Sequence, residues 1–201
     1  MAKVSLSKSS LSAQSQLLKS YLQFLPSLDL KRKQLMGERA RIRSEQQGVA
    51  AEMAALRARV AEELPMLANR EVDLTDLVRV DRVELGRENV MGTWLPRLDD
   101  LHVTVRPYGY LAKPHWVEPV VSALIEMARL RVRALLAERR LALLDQAVRT
   151  VTQRVNLFDK VLIPRTRANI KRIRIALSDA ERAAVVRSKI AKKKRAEEGL
   201  V

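Results

Sequence analysis

The chain has 201 residues, of which 38 are Lys or Arg and 23 are Asp or Glu, giving a formal net charge of +15. Only 3% of the residues are aromatic, which is too few for an ordinary compact core and favours an elongated helical protein. The absence of cysteine excludes disulfides, thiolate metal sites and a cysteine nucleophile. No apolar run approaches the roughly 20 residues of a membrane-spanning helix, and the N-terminus lacks a secretory signal. We therefore expect a soluble, cytoplasmic protein without direct membrane insertion.

The first long segment, residues 12–67, carries apolar residues at intervals of seven, which is typical of a coiled-coil seam. Pro26 predicts a kink or break at residues 24–27, because a proline removes a backbone hydrogen bond and crowds the preceding turn. The predicted seam positions of this segment are Leu28, Leu35, Ile42, Val49 and Leu56.

Residues 69–118 follow a different pattern, in which apolar and charged residues alternate as in half-exposed strands. We predict a strand at residues 78–85, a turn at 86–89, a returning strand at 90–95 and a third strand at 101–105. Asp99 and Asp100 are interpreted as a turn beside Pro96. The aromatic residues of this lobe form either a small local core or a docking surface, and they are Trp94, Tyr108, Tyr110 and Trp116.

The second long segment begins at Pro119, a favourable first helical residue, and is predicted to extend to residue 177. Pro164 predicts a bend, and the capping-box sequence of residues 178–181 predicts a short new helix. The tail at residues 189–194 is too charged to pack, and we expect its end to be mobile. The predicted seam positions of this segment are Leu141, Leu144, Val148, Val151, Val155, Phe158 and Leu162.

Two apolar stripes of similar length, joined by a compact connector, predict that the long helices pair with each other in antiparallel orientation. The expected fold class is mainly α, a long antiparallel two-helix coiled coil with a small β-hairpin-containing lobe between the helices. The expected parts of this single domain are a first shaft helix at residues 1–68, the lobe at 69–118, and a second shaft helix with a basic tail at 119–201.

The positive charge is concentrated in the second half of the chain. Between Arg129 and Arg195 there are twenty Lys and Arg residues but only five Asp and Glu residues. Such a surface can attract nucleic acid, an anionic membrane or an acidic protein partner. Composition alone favours nucleic acid among these three.

Several stretches of the sequence match one known family. Arg154 to Arg165 contains Arg-Val-Asn and Ile-Pro elements, Glu-Asn-Val-Met-Gly occupies residues 88–92, and a basic segment occupies residues 30–35. The first of these is similar to the C-terminal signature of the D-subunit family of V-type and archaeal-type ATPases. The second resembles that family's Asn-(Ile/Val)-Met-Gly strand, and the third resembles the basic segment at which its first helix enters the seam. The Glu181-Arg182 pair and the lysine-rich tail are also similar to the family.

The resemblance implies a central rotor shaft, standing in a ring of three A and three B subunits and coupling ATP hydrolysis or synthesis there to rotation and ion transport. The implied partners are the A and B subunits, the F subunit of the rotor and the socket protein (C/d) of the membrane rotor, so the chain would be peripheral to a membrane-bound complex. We interpret part of the basic face as a bearing against acidic loops of the ring: Arg165, Arg167, Lys171, Arg172 and Arg174. Docking of the lobe is assigned to Val90, Met91, Gly92 and Trp94, with strand geometry as the alternative role of Gly92.

No motif in the sequence indicates catalysis, and we expect no cofactor and no metal site. A phosphate-binding loop is absent, and His102 and His115 lack metal-ligand spacing. The alternative function is a basic coiled-coil protein that binds nucleic acid. The long segments have few aromatics for stacking on single strands and no compact duplex-binding module, so we expect no nucleic-acid partner. A generic scaffold or tether is the third alternative.

Overall fold

The computed structural model describes residues 5–68, 74–108, 114–197 and 199. Its elements in chain order are helix α1 (Lys8–Glu63), a short 3-10 turn (Pro65–Ala68), strands β1 (Val78–Val90) and β2 (Thr93–Val105), helix α2 (Val117–Leu157), a π turn (Phe158–Leu162) and helix α3 (Ile163–Glu197). The predicted fold class is confirmed: the chain is mainly helical, and an antiparallel hairpin lies in the sequence between the two long packed helices. No helix within the described ranges is long and apolar enough to cross a membrane.

The chain divides into two compact units. The terminal unit combines Met1–Leu30 with Val151–Val201, and the central unit is Lys31–Thr150. Helices α1 and α2 each contribute residues to both units. The predicted division of the chain at residues 68 and 118 follows the element boundaries instead, and it stays a prediction.

In the terminal unit, the start of α1 packs antiparallel against the end of α2 and against α3. The rings of Tyr21 and Phe158 meet edge to face with their centroids 5.3 Å apart. Further along, Asn169 Nδ2 donates a hydrogen bond to Gln14 Oε1 at 3.4 Å. The two helices therefore run in opposite directions, because the earlier residue of α1 contacts the later residue of the second long helix. The side chains buried on α3 recur at helical spacing, and they are Ile163, Thr166, Ile170 and Ile173.

A π turn shifts the buried stripe of the second long helix by one residue. The Ile163 N–H donates to the carbonyl oxygen of Phe158, five residues earlier, so this turn holds one residue more than a regular α-helical turn. The seven-residue series through Val155 consequently continues at Ile163, which is 4% exposed, whereas Leu162 is only half-buried. Pro164, where a bend is predicted, is the second residue after this turn.

Helix α1 continues through Pro26, so the break predicted at residues 24–27 does not occur. A proline removes one backbone hydrogen bond, but the turns on either side stay anchored because Leu25 and Leu28 are half-buried. The Ser27 hydroxyl donates to the Phe24 carbonyl at 2.8 Å, which gives that carbonyl an additional partner. Packing on both sides therefore outweighs the local preference against proline.

Helix α3 extends to Glu197, twenty residues beyond its predicted end, and no new helix starts at Ser178. A capping box stabilises the first turn of a helix, because the first backbone N–H groups have no carbonyl partners within the helix. In an uninterrupted helix the preceding turn already supplies those carbonyl partners, so the sequence of residues 178–181 does not start a new helix. Alanines at positions 180, 183, 184 and 191 favour continuation of the helix. The lysine-rich tail is therefore helical, with exposed side chains.

In the central unit, α1 and α2 also pack antiparallel. Their cluster of buried side chains contains Val49, Met53, Leu56 and Leu130. Ion pairs connect the two helices on the outside of this cluster: Arg39 to Asp145 at 2.7 Å, Arg59 to Glu126 at 2.6 Å, and Arg133 to Glu52 at 3.3 Å. Such exposed pairs contribute little stability individually, but together they favour one register of the two helices.

A second buried cluster lies where the hairpin strands join the helices. Trp116 is buried there, and Tyr108 packs against the cluster. Trp94, by contrast, is 61% exposed, and Tyr110 lies outside the described residues. Trp116 and Tyr108 therefore belong to a local core, whereas Trp94 does not. The buried members are Leu64, Leu77, Trp116, Val117, Val120 and Val121.

The hairpin consists of two thirteen-residue strands, and its turn differs from the predicted one. Val90 pairs with Thr93, which leaves Met91 and Gly92 as a two-residue turn. Their φ angles of 50° and 76° match the type I′ turn that suits the twist of a hairpin. The turn predicted at residues 86–89 is therefore wrong, and the predicted third strand is the second half of β2.

Gly86 and Asp99 explain why the sequence suggested turns at these places. A Cβ added to Gly86 would overlap the Asp99 carboxylate, so this glycine permits a close approach within the sheet instead of reversing the chain. Glu84 pairs with Asp100 while Leu85 pairs with Leu98, which leaves Asp99 as an extra residue in β2. Such an insertion is a β-bulge, and the turn predicted at Asp99 and Asp100 is wrong.

The predicted seam residues fall into two groups by burial. The buried ones are Leu35, Ile42, Val49, Leu56, Leu144, Val148, Val151 and Val155. The half-buried ones are Leu28, Leu141, Phe158 and Leu162.

Candidate functional site

The five cations predicted to form a bearing lie on α3, and the structure separates them into two sets. All five are exposed, and none forms an ion pair with any described residue. Arg167, Lys171 and Arg174 line a groove against α1, whereas Arg165 and Arg172 do not. The basic face therefore extends from the groove to a surface outside it.

The groove against α1, called the terminal groove below, has an apolar floor and cationic walls. Its volume is about 600 Å³. From α1 it receives Ser15, Leu18, Lys19 and Leu22, and from α3 Arg167, Ile170, Lys171, Arg174 and Ile175. Leu22 is 43% and Ile175 is 53% exposed, so considerable apolar surface faces solvent. None of the described residues that line the groove is acidic.

The tip of the hairpin contains three of the four predicted docking residues. Val90 ends β1 and is half-buried, Met91 is 45% exposed, and Gly92 completes the turn. The Gly92 N–H donates to the Asn89 side-chain oxygen at 2.8 Å, which holds the turn closed. The backbone of Met91 has a left-handed conformation, which residues other than Gly, Asn and Asp rarely adopt. The tip thus exposes a large apolar side chain in a strained position.

Trp94, the fourth predicted docking residue, lies at a second groove, between the hairpin and α2. This hairpin groove has a volume of about 720 Å³. Trp94, Leu85 and Leu135 are 61%, 56% and 49% exposed at its edges. Arg87 and Arg139 add positive charge to its lining. It is a second surface on which apolar and cationic groups combine.

Arg140 connects the hairpin with both helices of the central unit. Its Nη2 lies 3.2 Å from Glu88 of β1 and 3.9 Å from Glu38 of α1. The Arg140 side chain is only 11% exposed, and its Nε is buried without a hydrogen-bond partner among the described residues. A hydrogen bond from Arg41 to Glu38, at 2.6 Å, raises the pKa of Arg41. This charged cluster fixes the hairpin against the helices.

Sequence reasoning missed Arg140, Leu22 and Leu135. Arg140 is one of many arginines in a basic helix, and no local pattern distinguishes it from its neighbour Arg139. Leu18 and Leu25 of the first segment do recur at seven, but the groove depends on which α3 residues lie opposite them. Since this pairing is a tertiary contact, helical periodicity alone does not reveal it.

The described residues contain no group of His, Asp and Glu side chains arranged to hold a metal ion. His102 Nε2 lies 3.1 Å from Asp100 Oδ2 in an exposed pair, and His115 is exposed at the start of α2. Among the residues that the structure describes, neither histidine belongs to a group of three such side chains.

Comparison with known proteins gives consistent matches over almost the whole chain. The family model for the D subunit of ATP synthase matches residues 10–193. The V-type ATP synthase D subunit of Borreliella burgdorferi is 32% identical over 192 residues, which cover 96% of this chain and 95% of that protein. The V-type ATP synthase D subunit of Chlamydia muridarum is 34% identical over 195 residues, 96% of each chain. Since these matches include both long helices and the hairpin, the chain belongs to the family of the V-type ATP synthase D subunit.

Proposed function

We propose that this chain is the central rotor shaft of a V-type ATPase or ATP synthase. It stands in the ring of A and B subunits and couples ATP hydrolysis or synthesis there to rotation of the membrane rotor and to ion transport. The family match over residues 10–193 carries this proposal, because it covers both helices and the hairpin. The chain itself catalyses no reaction, and it is cytoplasmic and peripheral to the membrane-bound complex.

Transmission of torque requires two helices that do not slide past each other. Buried side chains of the seam, such as Ile42 and Leu144, support this requirement because close packing resists deformation. The Arg39–Asp145 and Arg59–Glu126 pairs add directional contacts between the helices. The antiparallel packing also places the start of α1 beside α3, where Lys8 lies 4.0 Å from Glu181, and we assign this part of the chain to insertion into the ring.

The bearing hypothesis rests on the unpaired charge of α3. Arg165, Arg167, Lys171, Arg172 and Arg174 are exposed and have no carboxylate partner among the described residues. Such charges attract acidic loops over several ångströms without fixing a single contact, which suits a surface that must turn. Reversing Arg165, Arg167, Arg172 and Arg174 to Glu should lower torque and rotation rate, and unchanged values of both would contradict the hypothesis.

The hairpin is the part of the chain that we assign to docking with the F subunit of the rotor and with the socket protein of the membrane rotor. Met91 supports this assignment, because strained backbone is retained where function requires a particular side chain. Trp94 supports it as well, since an exposed tryptophan is a frequent anchor of protein interfaces. Val90 and Gly92 hold the turn that presents these two side chains.

Native mass spectrometry of the full chain mixed with purified A and B subunits tests the proposal. We expect one copy of this chain on a ring of three A and three B subunits, and a higher ATPase rate in its presence. Failure to bind the ring, together with salt-sensitive binding to duplex DNA, would instead favour the nucleic-acid function. Self-association without any defined stoichiometry with the ring would favour a scaffold.

A further inference from the structure

We propose that the terminal groove is a docking site for an acidic, amphipathic peptide segment that inserts one large apolar side chain between the cationic walls. This inference rests on the proposed function, because the surrounding A and B subunits are the source of the segment. The proposal differs from the bearing hypothesis in two ways. It includes residues of α1 in the contact between shaft and ring, and it confines that contact to one side of the helix pair.

Helical geometry makes the α3 cations unequal. Arg167 and Arg174 each follow a buried isoleucine, Ile163 or Ile170, by four residues, so they lie about 40° from the buried stripe. Arg165 and Arg172 directly precede the other two buried residues, Thr166 and Ile173, so they lie about 100° from the buried stripe on its opposite edge. Only the first pair lies at the junction with α1, where a bound segment would contact both helices.

The floor of the groove provides a site for an apolar side chain. Leu18 and Leu22 of α1 approach Ile170 and Ile175 of α3 there. Exposed apolar surface surrounded by charge is typical of an interaction site, because water leaves it favourably when a partner covers it. A volume of about 600 Å³ is within the range of small-ligand sites, which is ample for one leucine or phenylalanine side chain.

The walls determine the charge of the segment. Lys19, Arg167, Lys171 and Arg174 form no ion pair within the part of the chain that the structure describes. Covering these four cations with a neutral segment would remove water from them without compensation, whereas carboxylates would supply charge-assisted hydrogen bonds. The groove therefore selects Asp and Glu residues flanking the apolar side chain.

A peptide fits the groove better than a nucleic acid does. Proteins that bind single strands place aromatic side chains under the bases, and none of the lining residues that the structure describes is aromatic. A phosphate backbone would engage the cations but would leave Leu22 and Ile175 exposed. Only an amphipathic segment satisfies both walls and floor.

The terminal groove lies on one side of the helix pair formed by α1 and α3, whereas a ring of three A and three B subunits presents three equivalent copies of any segment. One copy occupies the groove while the other two face different surfaces of the shaft. The groove therefore distinguishes one position of the ring from the other two, and rotation moves this contact from copy to copy.

The test compares two leucines of the same helix with nearly equal exposure. Leu22 lies in the groove and is 43% exposed, whereas Leu17 lies outside it and is 42% exposed. We would measure the dissociation constant of the full chain for the purified ring of A and B subunits. We expect Leu22→Ser to weaken binding about tenfold, as for an anchor residue, and Leu17→Ser to change it less than about twofold. Equal helicity by circular dichroism would verify that both variants fold.

A second comparison uses arginines two residues apart. Arg174→Glu should weaken ring binding about tenfold because the groove loses a direct carboxylate partner, whereas Arg172→Glu should weaken it only about twofold through screened long-range attraction. The weaker effect of Arg172→Glu should also disappear at high salt.

The outcomes separate this inference from the proposed function. If the wild type binds the ring but Leu22→Ser and Leu17→Ser have equal effects, the groove is overturned and the shaft stands. If the wild type does not bind the ring, both the groove proposal and the proposed function are overturned.

Sedimentation of the free chain provides a further test. Self-association that Leu22→Ser abolishes would assign the groove to a second copy of the chain and overturn the proposal of a peptide segment. A last outcome combines two results: the chain binds a 20-base-pair DNA duplex and Arg174→Glu abolishes that binding, while Leu22→Ser has no effect on ring binding. This outcome would identify the groove as a phosphate-binding surface and would also overturn the proposal of a peptide segment.

Discussion

Arg140 should contribute more stability than any exposed arginine of the central unit, because it is nearly buried and contacts two acidic residues. At 3.2 Å from Glu88 and 3.9 Å from Glu38, its Coulomb attractions are about 5 and about 4 kcal/mol at an effective dielectric constant of 20, before desolvation offsets most of this. Removing one partner of a buried pair costs roughly 3–5 kcal/mol, since the other charge is left uncompensated. The lower end applies here, because Glu88 is 41% exposed and Glu38 retains Arg41.

Urea unfolding of the full chain, followed by circular dichroism, measures this cost. We expect Arg140→Ala to lower the free energy of unfolding by about 3 kcal/mol. Arg133→Ala is the matched control, since Arg133 is 45% exposed and pairs with Glu52, and it should cost at most about 1 kcal/mol. Adding Glu88→Gln to Arg140→Ala should restore about 1 kcal/mol by removing the stranded carboxylate. Equal costs for the Arg140 and Arg133 variants would refute the reasoning.

Three further variants test packing and backbone conformation through the same unfolding measurement. Ile173→Ala, at 0% exposure, should cost about 3 kcal/mol, whereas Ile175→Ala, at 53%, should cost less than about 1 kcal/mol, and similar costs would contradict the position of the seam. Met91→Asn should stabilise the hairpin by about 0.5–1 kcal/mol because asparagine tolerates a positive φ, and a loss would show that Met91 packs in the folded chain. Pro26→Ala should raise stability by about 2 kcal/mol by restoring a helical hydrogen bond, and no gain would indicate that the proline suits its surroundings.

The helices and their pairing could be predicted from the sequence because they depend on a repeated pattern. Leu35, Ile42, Val49 and Leu56 recur at seven, and a stripe of that kind is stable only against another stripe. The compact connector leaves antiparallel packing as the orientation with full overlap. A signal spread over many turns survives a local irregularity such as Pro26.

The hairpin turn could not be located in the same way, because a turn depends on two or three residues. Gly86 and Asp99 have the composition of turns, yet they occupy the sheet, where the glycine makes room for the carboxylate. Met91 and Gly92 form the real turn although methionine disfavours a positive φ. Cross-strand register decided between these positions, and register is a tertiary property.

The sequence did not reveal the two sets of α3 cations, because their separation depends on the register of the second long helix against α1. Continuing the seam from Val151 and Phe158 at intervals of seven leads to Arg165 and Arg172, which would then face α1. The π turn adds one residue, so Thr166 and Ile173 take the buried positions instead. Arg165 and Arg172 consequently point away from the partner helix. The division of the cations into two sets follows from this one extra residue.

Deleting a single residue tests that account of the π turn. Removal of the exposed Asp159 should convert the π turn into a regular α-helical turn and leave Ile170 and Ile173 in the seam. Removal of the exposed Ala168, beyond the turn, should rotate both isoleucines about 100° out of the seam. The second deletion should therefore cost at least about 3 kcal/mol more in the free energy of unfolding, the value of burying two isoleucines. If both deletions destabilise the chain equally, the π turn does not set the register of α3, and Arg165 and Arg172 face solvent for another reason.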